Sequence, residues 1–201
     1  MLLVQNLSFF RKEKQIFEDK HLSLSEGKII LLSGKNGSGK TTFLKTILNI
    51  LEPSKGSIYW KGKLLKKNLY DYYKNITFIP DRPSSIKQLS VLENIQIWKK
   101  FFLSKIDSTQ IKNIIEIMNL DDLLTNKVNS LSMGEIKKLE LIRLIIENKK
   151  IWYLDEPLSN LDSETIEIVK QTFLDHTNNG GCIVFSSHNL TSIRISEEIN
   201  F

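Results

Sequence analysis

Residues 34–42 read GKNGSGKTT, so Gly34, Gly39, Lys40 and Thr41 stand in the spacing G-x-x-x-x-G-K-T. An apolar run, GKIILLS (27–33), precedes them, and TTFLKTILNIL (41–51), with helically spaced apolar residues, follows. In that context the glycines let the backbone turn until its N–H groups point inward. The helix start adds partial positive charge. A lysine so placed reaches the terminal phosphates of a nucleotide, and the Thr41 hydroxyl is a ligand for Mg²⁺. The residues expected to hold the phosphates are Gly34, Asn36, Gly37, Ser38, Gly39, Lys40, Thr41 and Thr42. A glycine-rich turn with a chance lysine is the plainer alternative, and the flanking strand and helix argue against it.

A second group of residues suits the same chemistry. The run IWYLDEP (151–157) delivers Asp155 and Glu156 at the C-terminal end of an apolar strand, the edge at which α/β sheets bind ligands. Asp155 is the expected Mg²⁺ partner together with Thr41, and Glu156 is expected to polarise the attacking water. Taken alone, two adjacent acids would also suit an exposed turn or a helix cap. His188, in FSSHN, follows another apolar strand and so falls at the same edge, where it could bond the γ-phosphate; a histidine there is otherwise structural, and the assignment rests on its companions. His21 and His176 have no such setting.

A third group is LSMGEIKKLELIRL (131–144), where Ser132 and Gly134 stand at an expected helix start. Ile136, Leu139, Ile142 and Ile146 recur at spacings of three and four and would anchor that helix to a core. The chain thus carries two helix starts fit to hold an anion, about a hundred residues apart.

These groups need a scaffold. Strands are expected at 2–10 and 21–25, joined by a charged turn, then at 27–33, within 52–60 and at 75–80. From about 84 to 148 the pattern turns helical, with helices expected at 90–103, 108–118 and 134–147. Strand returns at 150–157, a helix capped by Asp162 or Ser163 spans 163–176, a strand follows at 182–188, and the tail ISEEINF ends in a last short strand. This order implies an α/β fold with a mainly parallel sheet and a helical insertion.

Bulk composition agrees. With 201 residues, 41% of them hydrophobic and 25% charged, the chain can bury a sizeable core and reads as one globular domain, 1–201. The net charge of +5 permits anionic partners, but the lysines are dispersed, so direct nucleic-acid binding is not expected. A single cysteine, Cys182, excludes an internal disulfide framework and suits a reducing compartment. The N-terminal MLLVQNLSFFRKEK reads as a strand and not as a signal peptide, and no apolar stretch is long enough to span a membrane.

Over essentially its full length the chain resembles the nucleotide-binding subunits of ABC transporters. GKNGSGKT matches their Walker A motif, IWYLDEP their Walker B motif with its following glutamate, LSNLD (158–162) their D-loop, His188 their switch histidine, and LSMGE (131–135) their signature. The resemblance implies a P-loop NTPase core of ABC type with an antiparallel β subdomain and an inserted helical subdomain. It also implies ATP with Mg²⁺ as bound species, Lys40, Glu156 and His188 as catalytic residues, and Asp162 as a nucleotide-site residue. In this family two ATPase domains join head to tail, so Ser132 and Gly134 would complete the site of a second subunit, a homodimer being the expected pair. The lack of spanning segments implies separate integral membrane permease subunits and a peripheral place on the cytoplasmic face of the inner (cell) membrane.

Departures are specific. Met133 and Glu135 stand for the signature's usual Gly and Gln, and Glu135 adds negative charge near the phosphates. The Gln expected after the strand at 75–80 is replaced by Asp81 or Arg82. Arg11 stands where an adenine-stacking aromatic is expected, leaving Phe9, Phe10 or the guanidinium itself as candidates. Within the family, GSIYWKGKLL (56–65), SSIKQLSVLENI (84–95) and HTNNGGCIVFSSHN (176–189) look most like the small ATP-binding subunit of the cytochrome c maturation, or haem exporter, system. That likeness implies ATP hydrolysis driving release of a haem-loaded chaperone. Other drug, lipid or polysaccharide exporters, a soluble ATPase acting on DNA or ribosomes, and a non-hydrolysing regulator are the competing expectations.

Overall fold

In the computed structural model, which describes residues 1–188 and 193–201, two sheets share the work of positioning the glycine-rich loop. The first is antiparallel and built from β1 (Leu2–Arg11), β2 (Lys14–Leu24), β4 (Lys55–Trp60) and β5 (Lys63–Leu64), in the order β2-β1-β4-β5. The second is parallel and built from β3 (Ile29–Ser33), β6 (Ile76–Ile79), β7 (Ile151–Leu154), β8 (Cys182–Ser187) and β9 (Glu197–Asn200), in the order β6-β7-β8-β3-β9. The helices are α1 (Lys40–Ile47), α2 (Leu69–Lys74), α3 (Val91–Phe101), α4 (Ser108–Ile117), α5 (Met133–Glu147) and α6 (Ser163–Asn178).

The parallel strands are apolar on both faces because both faces are covered. Trp152, Leu154, Ile183 and Phe185 point into one core, shared with Ile95 of α3, Leu139 and Ile142 of α5, and Phe173 of α6. The residues between them, Ile151, Tyr153, Cys182 and Val184, point into a second core with Phe43 and Leu44 of α1 and Leu2, Leu22 and Trp60 of the antiparallel sheet. Cys182 is buried, and that burial pushes its thiol up to about 12, which suits an inert core residue.

The α/β class, the parallel sheet and the helices between β6 and β7 stand as expected. Two local expectations are corrected, and one helix stands where none was expected. The strand expected at 21–25 is the end of an eleven-residue strand beginning at Lys14: one face of the antiparallel sheet is solvated, so its charged residues lie within the strand. The helix expected over 41–51 stops at Ile47, where Asn49 takes φ +56° and the N–H groups of Ile50 and Leu51 turn back to Lys45 O. The helix α2 was not expected; its buried anchor is Tyr72, whose hydroxyl donates to Ile47 O and bonds Tyr153 Oη at 2.9 Å. Of the two caps considered for α6, Asp162 is the one used. Asn189, the last residue of the 176–189 likeness, lies outside the described residues.

Candidate functional site

The loop 34–39 leaves β3 and enters α1 at Gly39, which takes φ +115°. A Cβ there would stand 3.1 Å from Ile16 O of β2, so glycine is required both by backbone conformation and by the approach of the antiparallel sheet. The first intrahelical bond is Phe43 N–H to Gly39 O, so the N–H groups of Lys40, Thr41 and Thr42 precede the helical ladder. Lys40 is 5% exposed; its Nζ donates to Gly34 O at 2.6 Å and Lys35 O at 3.2 Å. Ser38 Oγ is buried within the loop without a hydrogen-bond partner. A buried ammonium, an unpaired hydroxyl and helix-start amides form a donor set that fits a polyphosphate.

Parallel pairing sets the acids opposite this loop. Asp155 extends the β6–β7 ladder by one bond, its N–H donating to Ile79 O, and its side chain is buried. Glu156 then leaves the sheet at φ +49°, a left-handed conformation that redirects its side chain. Glu156 Oε1 lies 3.6 Å from Lys40 Nζ, and Oε2 lies 3.0 Å from His188 Nδ1. The three residues expected to be catalytic therefore meet. Thr41, exposed at the first turn of α1, and Asp155 offer hard oxygen donors that suit Mg²⁺. Among the described residues no cluster of three or more His, Cys, Asp or Glu side chains that could hold a metal ion exists.

Sequence reasoning missed Ser186. Its fully buried hydroxyl accepts from the Glu156 N–H at 2.9 Å and donates to Asp155 Oδ1 at 2.6 Å. One side chain on β8 thus fixes the turn that carries both acids. The signal was the parallel register: Leu154 pairs with Phe185, so the next residues, Asp155 and Ser186, must be neighbours.

The second helix start is that of α5. Ser132 caps α5 through a reciprocal box: its hydroxyl accepts from Glu135 N–H at 3.3 Å, and Glu135 Oε2 accepts from Ser132 N–H at 2.7 Å and from Ser132 Oγ at 2.8 Å. The Glu135 carboxylate is therefore turned back onto its own helix start. A Cβ on Gly134 would stand 2.6 Å from Asn160 O, so glycine permits the 158–162 segment to cross the start of α5. Asp162 caps α6 by accepting from Thr165 N–H at 2.8 Å; that bond, above all, holds its carboxyl down at about 2. Lys138 Nζ lies 3.4 Å from Asp162 and ties the same segment to α5.

The residues at the two other departures have these surroundings. Asp81 and Arg82, the two residues considered for the missing Gln, both line the cleft beside the start of α5, and Asp81 Oδ1 lies 3.9 Å from Lys137 Nζ. Of the candidate adenine platforms, Phe9 packs on Phe17 with ring centroids 6.2 Å apart, Phe10 lies under Lys55, and Arg11 closes the β1–β2 turn opposite Lys14.

Comparison with known proteins agrees with this geometry. The profile of the ABC transporter family matches residues 17–159. The ABC transporter I family member 1 of Arabidopsis thaliana is 34% identical, over 93% of this chain and 81% of its own. The cytochrome c biogenesis ATP-binding export protein CcmA of Reclinomonas americana is 33% identical, over 96% of this chain and 87% of its own. Among solved structures, a putative ABC transporter ATP-binding protein from Pyrococcus furiosus superposes with a TM-score of 0.84 and 27% identity, covering 99% of this chain and 96% of that one. A dimeric ATP-binding cassette in a post-hydrolysis state with ADP and Pi superposes with a TM-score of 0.75 over 94% of this chain and 88% of its own; at 22% identity it speaks for the fold.

Proposed function

The chain belongs to the ABC transporter family as an ATP-binding, ATP-hydrolysing subunit, and from that premise we propose that it powers a cytochrome c biogenesis complex of the haem exporter type. The observation that carries the finer reading is the near full-length likeness to proteins named as cytochrome c biogenesis ATP-binding export proteins. Hydrolysis in the membrane complex would drive release of a haem-loaded chaperone.

In the proposed mechanism ATP phosphates are held by the 34–42 loop and neutralised by Lys40. Thr41 and Asp155 would hold Mg²⁺, which would supply charge stabilisation to the phosphate oxygens. Glu156 orients the attacking water and takes its proton. His188, on the other carboxylate oxygen, keeps Glu156 in place and stands ready to bond the γ-phosphate. Ser132 and Gly134 complete the nucleotide site of a second copy, so the working unit is a homodimer seated on integral membrane permease subunits. Its place is peripheral, at the cytoplasmic face of the cell membrane; no helix of the described residues is long and apolar enough to cross it.

Affinity isolation of the chain from solubilised membranes tests this reading. Co-recovery of haem-handling membrane subunits is expected. Recovery of permeases for drugs, lipids or polysaccharides would move the chain to another exporter, and recovery of ribosomes or DNA would overturn the transporter role.

A further inference from the structure

The helix α5 is buried on nearly every side, and one stripe of it is charged. Lys137, Glu140, Arg143 and Glu147 are all 9% exposed or less. Three of them satisfy one another and the chain beside them. Glu140 accepts from the N–H groups of Ser84 and Ser85 at 2.7 and 2.6 Å, Arg143 donates to Glu147 at 2.6 Å and to Glu140 at 3.3 Å, and Glu147 accepts from the Thr77 hydroxyl at 2.9 Å. Lys137 is different. It is 4% exposed, and its Nζ has no hydrogen-bond partner among the described residues.

An ammonium stripped of water and left without hydrogen bonds is costly, and burial does pull the Lys137 pKa down. What opposes that pull is a ring of acids: Asp81 first, then Glu140, Asp155 and Glu156. Asp81 Oδ1 lies 3.9 Å away. Lys137 and Asp81 line one cleft of about 210 Å³, with Pro80, Arg82 and Asn160, between the loop after β6 and the start of α5. Lys137 thus sits where the loop after β6 meets the start of α5, and Asp155, whose N–H donates to Ile79 O, opens the turn that leaves β7 beside that loop.

We propose that Lys137 and Asp81 form a positioning pair for the hydrolysis site, the buried ammonium offsetting the Asp81 carboxylate where the loop after β6 meets the start of α5. A bare carboxylate at position 81 would repel both acids and the phosphates they serve. A neutral amide, the side chain expected there by resemblance, has no such charge to cancel. The pair balances the charge of Asp81 with a side chain from another element, and it couples the seating of α5 to the loop. Neither residue need touch the reacting atoms.

This inference rests on the hydrolytic reading of Glu156 given above. The test is steady-state ATP hydrolysis by the purified full chain as wild type, Lys137→Gln, Asp81→Asn and the double variant, with Glu156→Gln and thermal unfolding of every protein alongside. Each single variant leaves an unbalanced charge and is expected to lower kcat about tenfold with little change in KM. The double variant, neutral again, is expected to recover to within about threefold of wild type. Losses that simply add in the double variant, or that track a falling Tm, would mark Lys137 as a structural anchor and overturn the pairing. Single variants at the wild-type rate would overturn it too. If Glu156→Gln hydrolyses at the wild-type rate, the reading of the acids falls and the pairing with it; an inactive Glu156→Gln without rescue in the double variant removes the pairing alone.

Discussion

Glu156 Oε2 meets His188 Nδ1 at 3.0 Å while its other oxygen faces Lys40 Nζ at 3.6 Å, so one carboxylate joins the ends of β7 and β8 to the first turn of α1. If Glu156 is the base, Glu156→Gln keeps the shape of this junction and removes the proton acceptor. The expected result is a fall in kcat of about 10²-fold or more with ATP still bound. Size-exclusion chromatography with ATP is expected to show a trapped dimer. Hydrolysis at the wild-type rate would show that another group activates water.

Lys40 is the only lysine whose ammonium is enclosed by the glycine-rich loop among the bonds described, held by Gly34 O and Lys35 O. Lys40→Ala removes the charge proposed to offset the phosphates and the donor shared by the Gly34 and Lys35 carbonyls. Catalysis is expected to fall about 10²- to 10³-fold. Fluorescent-nucleotide titration is expected to show weakened ATP binding, which separates this variant from Glu156→Gln.

Ser186 tests whether the turn carrying the acids is held from β8. Ser186→Ala leaves the Glu156 N–H and Asp155 Oδ1 each short of a partner in a buried place. A stability loss of about 1–3 kcal/mol is expected, read as a drop in Tm of several degrees, together with a lower kcat at saturating ATP. An unchanged Tm with unchanged kcat would show that the turn holds itself.

How much of this was legible follows from what each signal depends on. The 34–42 loop and the acids at 155–156 were readable because a strand, a tight turn and a helix start are local, and the chemistry sits in consecutive residues. The apolar face of α5 was readable too: Ile136, Leu139, Ile142 and Ile146 are all buried. Its charged stripe was not. Lys137, Glu140, Arg143 and Glu147 look like a solvated helix face, and the return of residues 77–85 with the Trp98 and Phe102 rings covers that face. The bridge at Ser186 likewise depends on which strands are neighbours, which spacing along one strand does not reveal. The short reach assigned to β2 failed for a related reason, since charge alone does not tell a turn from the wet face of a sheet.

The substitution of Glu for Gln at position 135 has a local consequence that can be measured. Glu135 Oε2 accepts from both the N–H and the hydroxyl of Ser132, so the hydroxyl proposed to complete a neighbour's nucleotide site is engaged within its own chain. Glu135→Gln retains an acceptor for the N–H and removes the charge. ATPase activity is expected to rise, with a KM for ATP lower by several-fold, while stability changes by less than about 1 kcal/mol. A KM that rises would show that the carboxylate helps to assemble the shared site.

His176 gives a pH signature remote from the nucleotide. Its ring stacks on Trp152 at a centroid distance of 3.6 Å and an angle of 8°, and burial lowers its pKa to about 4. The unfolded chain therefore binds a proton at this residue before the folded one does. The stabilisation is complete above the usual histidine pKa of about 6.5 and is lost as pH falls from there towards 4. Discounted for the partly exposed ring, the effect is about 1–2 kcal/mol. His176→Phe keeps an aromatic ring on Trp152 and removes the titrating group, so its Tm is expected to fall less between pH 6.5 and 4 than that of wild type. Parallel Tm curves for the two proteins over this window would assign the acid sensitivity to other groups.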